Sequence, residues 1–93
     1  MRQYELTIIV GTEEDESTEG KQSVDEQLKK AQAKVKKEED KGIRDLSYPV
    51  QKREKGHYYY YEIEMEPENV KSLEEEIRIL NPLLKHLLVK KED

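Results

Sequence analysis

Ninety-three residues carrying a net charge of −5, with 42% charged and only 33% hydrophobic side chains, are expected to form one small domain over 1–93 with a thin core that a partner helps to stabilise. The chain has no Cys, which excludes disulfides, thiolate metal sites, iron–sulfur clusters and cysteine catalysis. No apolar run reaches the ~18 residues of a membrane span, and the opening MRQYELTIIV is too short for an export signal, so a soluble cytosolic protein is expected.

Arg2 to Val10 alternates as a strand, with Leu6, Ile8 and Val10 on one face and Gln3, Glu5, Thr7 and Ile9 on the other. Residues 13–22 are polar throughout and read as a loop or a weak first helical turn. Ser23 with Glu26 three residues later makes a capping-box pattern, and Val24, Leu28 and Ala31 then form a narrow apolar stripe. This predicts a helix over 23–33, with a start as early as Ser17 left open.

Val35 to Glu39 and Ile43 to Val50 read as one strand interrupted around Asp40–Gly42, where Gly suits a bulge, and Pro49 confines it to a sheet edge. Residues 52–56 read as a charged hairpin turn. From His57 to Met65 the alternation fixes parity: Tyr59, Tyr61, Ile63 and Met65 face the core, and Tyr58, Tyr60, Glu62 and Glu64 face away. Pro67 opens a second helix with Val70, Leu73, Ile77 and Leu80 buried, Asn81-Pro82 stops it, and Leu83 to Lys90 forms the last strand.

The order strand, helix, strand, strand, helix, strand with right-handed crossovers gives an α+β fold. It is the ferredoxin-like split β-α-β sandwich (β1α1β2β3α2β4), with four antiparallel strands in the order 4-1-3-2 and both helices on one face. The other face stays open as an interaction platform. This topology sets Arg2 beside Lys90 and Lys91 at one end of the sheet. At the other end, the hairpin bases lie near Lys85 and His86.

The charge map is uneven. Residues 62–76 hold seven acids against Lys71, whereas 78–91 hold Arg78, Lys85, Lys90 and Lys91 with no acid, and 41–57 hold five bases against Asp45 and Glu54. Fields between exposed charges fade over about 8–10 Å at physiological salt, so net acidity does not exclude a local nucleic-acid face.

Little in the sequence points to catalysis. His57 and His86 stand at strand starts, no Ser or Thr has a nucleophile setting, and the four Gly stand alone rather than in a phosphate loop. The acidic run Glu13 to Glu16 lacks the spaced ligands of a calcium loop, so neither a metal nor a cofactor is expected. An enzyme of the acylphosphatase kind is the alternative on this fold. It needs a cationic phosphate cradle and a water-positioning amide, yet residues 11–17 contain no Arg, Lys or Asn. Tyr58 and Tyr60 on the open face are read either as contacts for a protein partner or as exposed strand residues without a function of their own. Stacking on RNA bases is disfavoured because Glu62 and Glu64 share that face and repel phosphates.

The segments Met1-Arg-Gln-Tyr-Glu-Leu, Gly42-Ile-Arg-Asp-Leu-Ser-Tyr-Pro-Val, Gly56-His-Tyr-Tyr and Leu80-Asn-Pro-Leu-Leu-Lys-His-Leu-Leu-Val-Lys resemble, in order and over nearly the whole chain, ribosomal protein six of the bacterial small subunit. The resemblance implies the same ferredoxin-like fold and a structural role on the cytoplasmic ribosome. It also implies binding of small-subunit ribosomal RNA in the platform region together with ribosomal protein eighteen, a small basic partner, with neither membrane nor DNA involved. Arg2, Lys85 and Lys90 correspond to family positions that are commonly basic, so phosphate contact is expected of them. Topology adds Lys91 and His86 to that set and assigns Tyr58 and Tyr60 to the protein partner.

Overall fold

The structure, a computed structural model, describes residues 1–80 and 83–91. The elements are β1 (Arg2–Val10), α1 (Glu14–Lys30), β2 (Lys34–Val50), β3 (Arg53–Met65), a 3-10 turn (Pro67–Asn69), α2 (Val70–Arg78) and β4 (Leu83–Lys90). The strands form one antiparallel sheet in the order β2-β3-β1-β4, the predicted 4-1-3-2 read from the other edge. Asn81-Pro82, expected to stop the second helix, lies outside the described residues.

Strand parity places the core as the alternation requires. Tyr4, Leu6, Ile8 and Val10 of β1 and Tyr59, Tyr61, Ile63 and Met65 of β3 pack against Val24 and Leu28 of α1, Leu73 and Ile77 of α2, and Leu83. Burying each large apolar side chain contributes about 1.5–3 kcal/mol, so these residues carry most of the favourable free energy of a chain this polar. The tyrosines keep their polar ends satisfied; Tyr61 donates its hydroxyl hydrogen to Asp25 at 3.0 Å.

Helix α1 starts at Glu14, nine residues before the Ser23 capping box, and Ser23 lies in mid-helix without a capping role. Three acids in the first turn, Glu14, Asp15 and Glu16, oppose the positive end of the helix, which favours helix where hydropathy alone reads loop. The buried positions of this first half are Ser17 and Gly20, too small to register as an apolar stripe. Their size is the reason they are there: a Cβ on Gly20 would lie 2.6 Å from a Val10 methyl, so glycine lets α1 seat closely on β1. At the other end the helix stops at Lys30, short of residue 33. Gln32 takes a left-handed conformation (φ 58) and the Ala33 N–H donates back to Leu28 O at 3.0 Å.

β2 is one long edge strand of 17 residues with none fully buried. Its register slips between Asp40 and Gly42, where Gly42 has φ 82, which is the expected bulge, and also between Val35 and Lys37 and between Asp45 and Val50. The hairpin turn falls at Gln51-Lys52, both with positive φ, and Arg53 to Gly56 are already strand. A two-residue turn of this kind matches the twist of the flanking strands, so the charged segment 52–56 is pulled into the ladder rather than left as loop.

Candidate docking surface

The side of the sheet away from the helices carries Gln3, Glu5, Thr7 and Ile9 from β1, Tyr58, Tyr60, Glu62 and Glu64 from β3, and Lys85, Leu87 and Val89 from β4. Register sets their neighbours. Ile9 lies between Tyr58 and Lys85, Thr7 between Tyr60 and Leu87, and Glu5 between Glu62 and Val89. The surface therefore grades from an apolar end to a charged end.

At the apolar end the β2–β3 hairpin continues beyond Val10, where β1 stops pairing, and bends across the sheet. Tyr48 belongs to one edge strand and Lys85 to the other, about 14 Å apart on a flat sheet, yet Lys85 Nζ donates to the Tyr48 hydroxyl at 3.3 Å and sits 5.4 Å from its ring centroid. Under this arm Ile9 is only 7% exposed although it faces away from the helices. Gly56 makes the closure possible, since a Cβ there would lie 2.3 Å from an Ile9 methyl and 3.4 Å from a Leu46 methyl. On the helix side the arm is held by Arg53, which donates from both terminal nitrogens to Glu16 at 2.9 and 2.7 Å. That bond holds the Glu16 carboxyl below its ordinary range.

At the charged end, Glu5 and Glu62 face each other across the ladder, an unfavourable pairing of like charges. Cations relieve it. Lys91 Nζ lies 3.0 Å from Glu62, Lys37 lies 3.9 Å from Glu62 and 2.9 Å from Glu39, and Lys36 lies 3.1 Å from Glu64. Lys41 also pairs with Glu39 and sits 5.4 Å from the Tyr60 ring centroid. Hydrogen bonds from these lysines hold Glu62 and Glu64 below the ordinary carboxylate range, and Lys41 followed by Lys37 brings Glu39 down to about 2. Glu62 and Glu64 thus stay ionised with a lysine beside each, which weakens their repulsion of phosphates on this face. Sequence reading had set them against phosphate because their lysine partners come from β2 and the end of β4, distant in sequence but adjacent across the sheet.

The expected site residues do not share one surface. Arg2 pairs with Met65 and Lys90 with Tyr4, which puts both exposed bases at the same end on the helix-side parity. Lys91 is at that end too, its N–H bonded to Gln3 O at 2.9 Å, but its ammonium turns to Glu62 on the open side. Lys85 is at the hairpin end on the open side. His86 points to the helix side, where Nε2 lies 4.0 Å from Glu74. His57, expected at the start of its strand, lies four residues inside β3, because the ladder runs back to Arg53; it is stacked on Tyr59 with centroids 4.5 Å apart and is 2.6 Å from Asp40. Sequence reading missed the open-face cations Lys36, Lys37 and Lys41; the signal was present in the basic run at the start of β2. Among the described residues no group of His, Cys, Asp and Glu could hold a metal ion, and no helix is long and apolar enough to cross a membrane.

A split β-α-β sheet with two helices on one side and a bare, charge-balanced face on the other defines a ferredoxin-like module. Residues 3–90 match the family described as Ribosomal protein S6, and the chain belongs to that family, a structural and non-enzymatic constituent of the small subunit of the cytoplasmic ribosome. It is 33% identical over 90 residues to small ribosomal subunit protein bS6 of Treponema pallidum, covering 97% of each chain. Against the bS6 protein of Thermus thermophilus it is 32% identical over 95 residues, covering 100% of this chain and 94% of the relative. The crystal structure of 30S ribosomal protein S6 from Thermotoga maritima superposes with a TM-score of 0.87 at 22% identity, over 97% of this chain and 87% of that one, and has the same fold.

Proposed function

We propose that this chain binds small-subunit ribosomal RNA in the platform region together with ribosomal protein eighteen. Arg2, Lys85, His86, Lys90 and Lys91 contact phosphates, and Tyr58 and Tyr60 meet the protein partner. The observation that carries this reading is the open face itself. In a chain this polar, Leu87 at 58% exposure and Val89 at 47% flank the same β1 positions as Tyr60 and Glu62, which leaves an apolar strip beside the tyrosines for a partner to cover. Bases at both ends of the sheet, Lys85 and Lys91 toward the open side and Arg2, His86 and Lys90 toward the helix side, suit RNA wrapped around a protein pair, with contacts limited to the two ends.

The test is binding of an in-vitro-transcribed platform fragment of small-subunit RNA by the chain paired with ribosomal protein eighteen, measured over a salt series. Removing charge at Arg2, Lys85 and Lys90 together is expected to lower affinity and flatten the salt dependence, because each neutralised phosphate contributes a log–log slope of roughly −0.7 to −0.9. Unchanged binding by that triple variant rejects the assignment. Replacing Tyr58 and Tyr60 by Ala is expected to weaken association with the protein partner by at least ~1 kcal/mol. Unaltered pairing removes the tyrosines from the interface.

A further inference from the structure

Residues 29–37, Lys-Lys-Ala-Gln-Ala-Lys-Val-Lys-Lys, hold five lysines and no acid. The fold brings the first three of these to the end of the sheet that carries Arg2 and Lys90. α1 runs down the helix layer to Lys30, reverses at Gln32, and β2 starts at Lys34. Lys34 pairs with Glu64, whose other neighbour is Gln3, and Arg2 pairs with the next residue, Met65. Asn69 donates its side-chain N–H to Ala31 O at 3.1 Å and fastens the α1–β2 turn to the chain leaving β3.

We propose that Lys29, Lys30 and Lys34 join Arg2 and Lys90 in one basic pole that follows the sugar–phosphate backbone of RNA; this rests on the RNA-binding reading above. All five bases are exposed, and none has a carboxylate within 4.0 Å among the described residues. Of the acids nearby, Glu64 is bonded to Lys36 at 3.1 Å and Glu66 lies 3.8 Å from the terminal ammonium of Met1. Glu26 one turn before Lys30, Glu76 in the same cleft as Lys30, and Glu68 remain, fewer than the five bases. The acids that make the chain net negative include Glu13, Glu14 and Asp15 at the far end of α1, roughly 24 Å away along a 17-residue helix and beyond the ~8–10 Å screening length. A phosphodiester backbone meets a locally cationic surface here whatever the net charge. Lysines in the last turn also favour the helix by opposing its dipole, so the test has to separate that role from RNA contact.

The chain carrying Lys29→Gln, Lys30→Gln and Lys34→Gln, paired with ribosomal protein eighteen, is titrated with the platform RNA fragment over a salt series beside the unaltered chain, and the fold of both is followed by circular dichroism and thermal unfolding. The expected result is a log–log salt slope smaller in magnitude by about 2–3, with the circular dichroism spectrum unchanged. A changed melting temperature with an unchanged slope means that the lysines serve the helix only, and overturns the proposal. If the unaltered pair binds RNA and loses affinity on charge removal at Arg2, Lys85 and Lys90 but keeps its slope in the new variant, the basic pole fails while the proposed function stands. Absence of binding by the unaltered pair overturns both.

Discussion

Arg53 and Glu16 lie 37 residues apart in sequence and meet in a two-pronged ion pair, with Nη1 and Nη2 at 2.9 and 2.7 Å from the two carboxylate oxygens. The pair ties the first turn of α1 to the tip of the β2–β3 hairpin, beside its Gln51-Lys52 turn, and Gly11 leaves the space it occupies, since a Cβ there would lie 2.3 Å from Glu16 Oε1. Arg53→Ala is expected to cost under about 1 kcal/mol globally, as partly exposed pairs do, while freeing the arm locally. Hydrogen exchange should show faster amides at 53–56 with little change at 59–65. Equal protection across β3 would show that the arm needs no such tie.

The same contact belongs to a set that sets the response to acid. Hydrogen bonds from Arg53, His57, Lys91 and Lys36 hold Glu16, Asp40, Glu62 and Glu64 below their ordinary values, and Glu39 is brought to about 2. A carboxyl whose folded pKa is depressed contributes stability that is complete above its unfolded pKa and is lost as pH falls toward the folded one. Urea midpoints should therefore hold steady above pH 4.5 and fall as pH drops toward 2. At the alkaline side burial, followed by Asp25, pushes the Tyr61 phenol above its ordinary 10.0, so its contribution is complete below pH 10.0 and is lost above it. A midpoint that stays flat from pH 5 to pH 2 contradicts the acid half of this account.

Gly20→Ala sets two effects against each other. Helix propensity favours Ala by about 1 kcal/mol at an interior position. The new methyl would lie 2.6 Å from Val10 Cγ1 and 3.1 Å from Val10 Cβ, in a fully buried contact between helix and sheet. Overpacking of this kind costs about 1–3 kcal/mol, so the variant is expected to be destabilised by up to ~2 kcal/mol in chemical denaturation. A more stable variant would mean that α1 sits farther from β1 than described here.

Gln32→Gly works in the opposite direction. With φ at 58, Gln32 occupies the left-handed region that costs an L-residue with a Cβ about 1–2 kcal/mol, and its side chain is exposed. Glycine removes that strain but adds freedom to the unfolded chain, which leaves an expected gain of about 0.5–1 kcal/mol in the urea midpoint free energy. Loss of stability would contradict the left-handed turn.

Parity made the tyrosine run legible from sequence: a strand through Tyr58 to Tyr61 must turn two rings toward the helices and two away, and Tyr59 and Tyr61 are buried while Tyr58 and Tyr60 are half-buried. The element order gave the sheet topology for the same reason, since few connections satisfy the handedness rule. The first half of α1 was hidden because its contact face is built from Ser17 and Gly20, where close approach rather than apolar area does the packing. At the docking surface, the lysines that quiet Glu62 and Glu64 come from two other strands, so no window along the chain could display the pairing. The bend that carries Tyr48 to Lys85 is a property of sheet coiling, which side-chain alternation does not encode.

The irregularities of β2 have a further effect. An outermost strand exposes a row of unshared amides and carbonyls that can template aggregation through another chain's extended segment. Here that row loses its two-residue repeat at three slips, and Pro49 removes a donor near its end. A neighbouring copy could match only a few consecutive groups before falling out of step. Along this edge, the longer of the sheet's two, the protein therefore offers a second copy little to zipper onto.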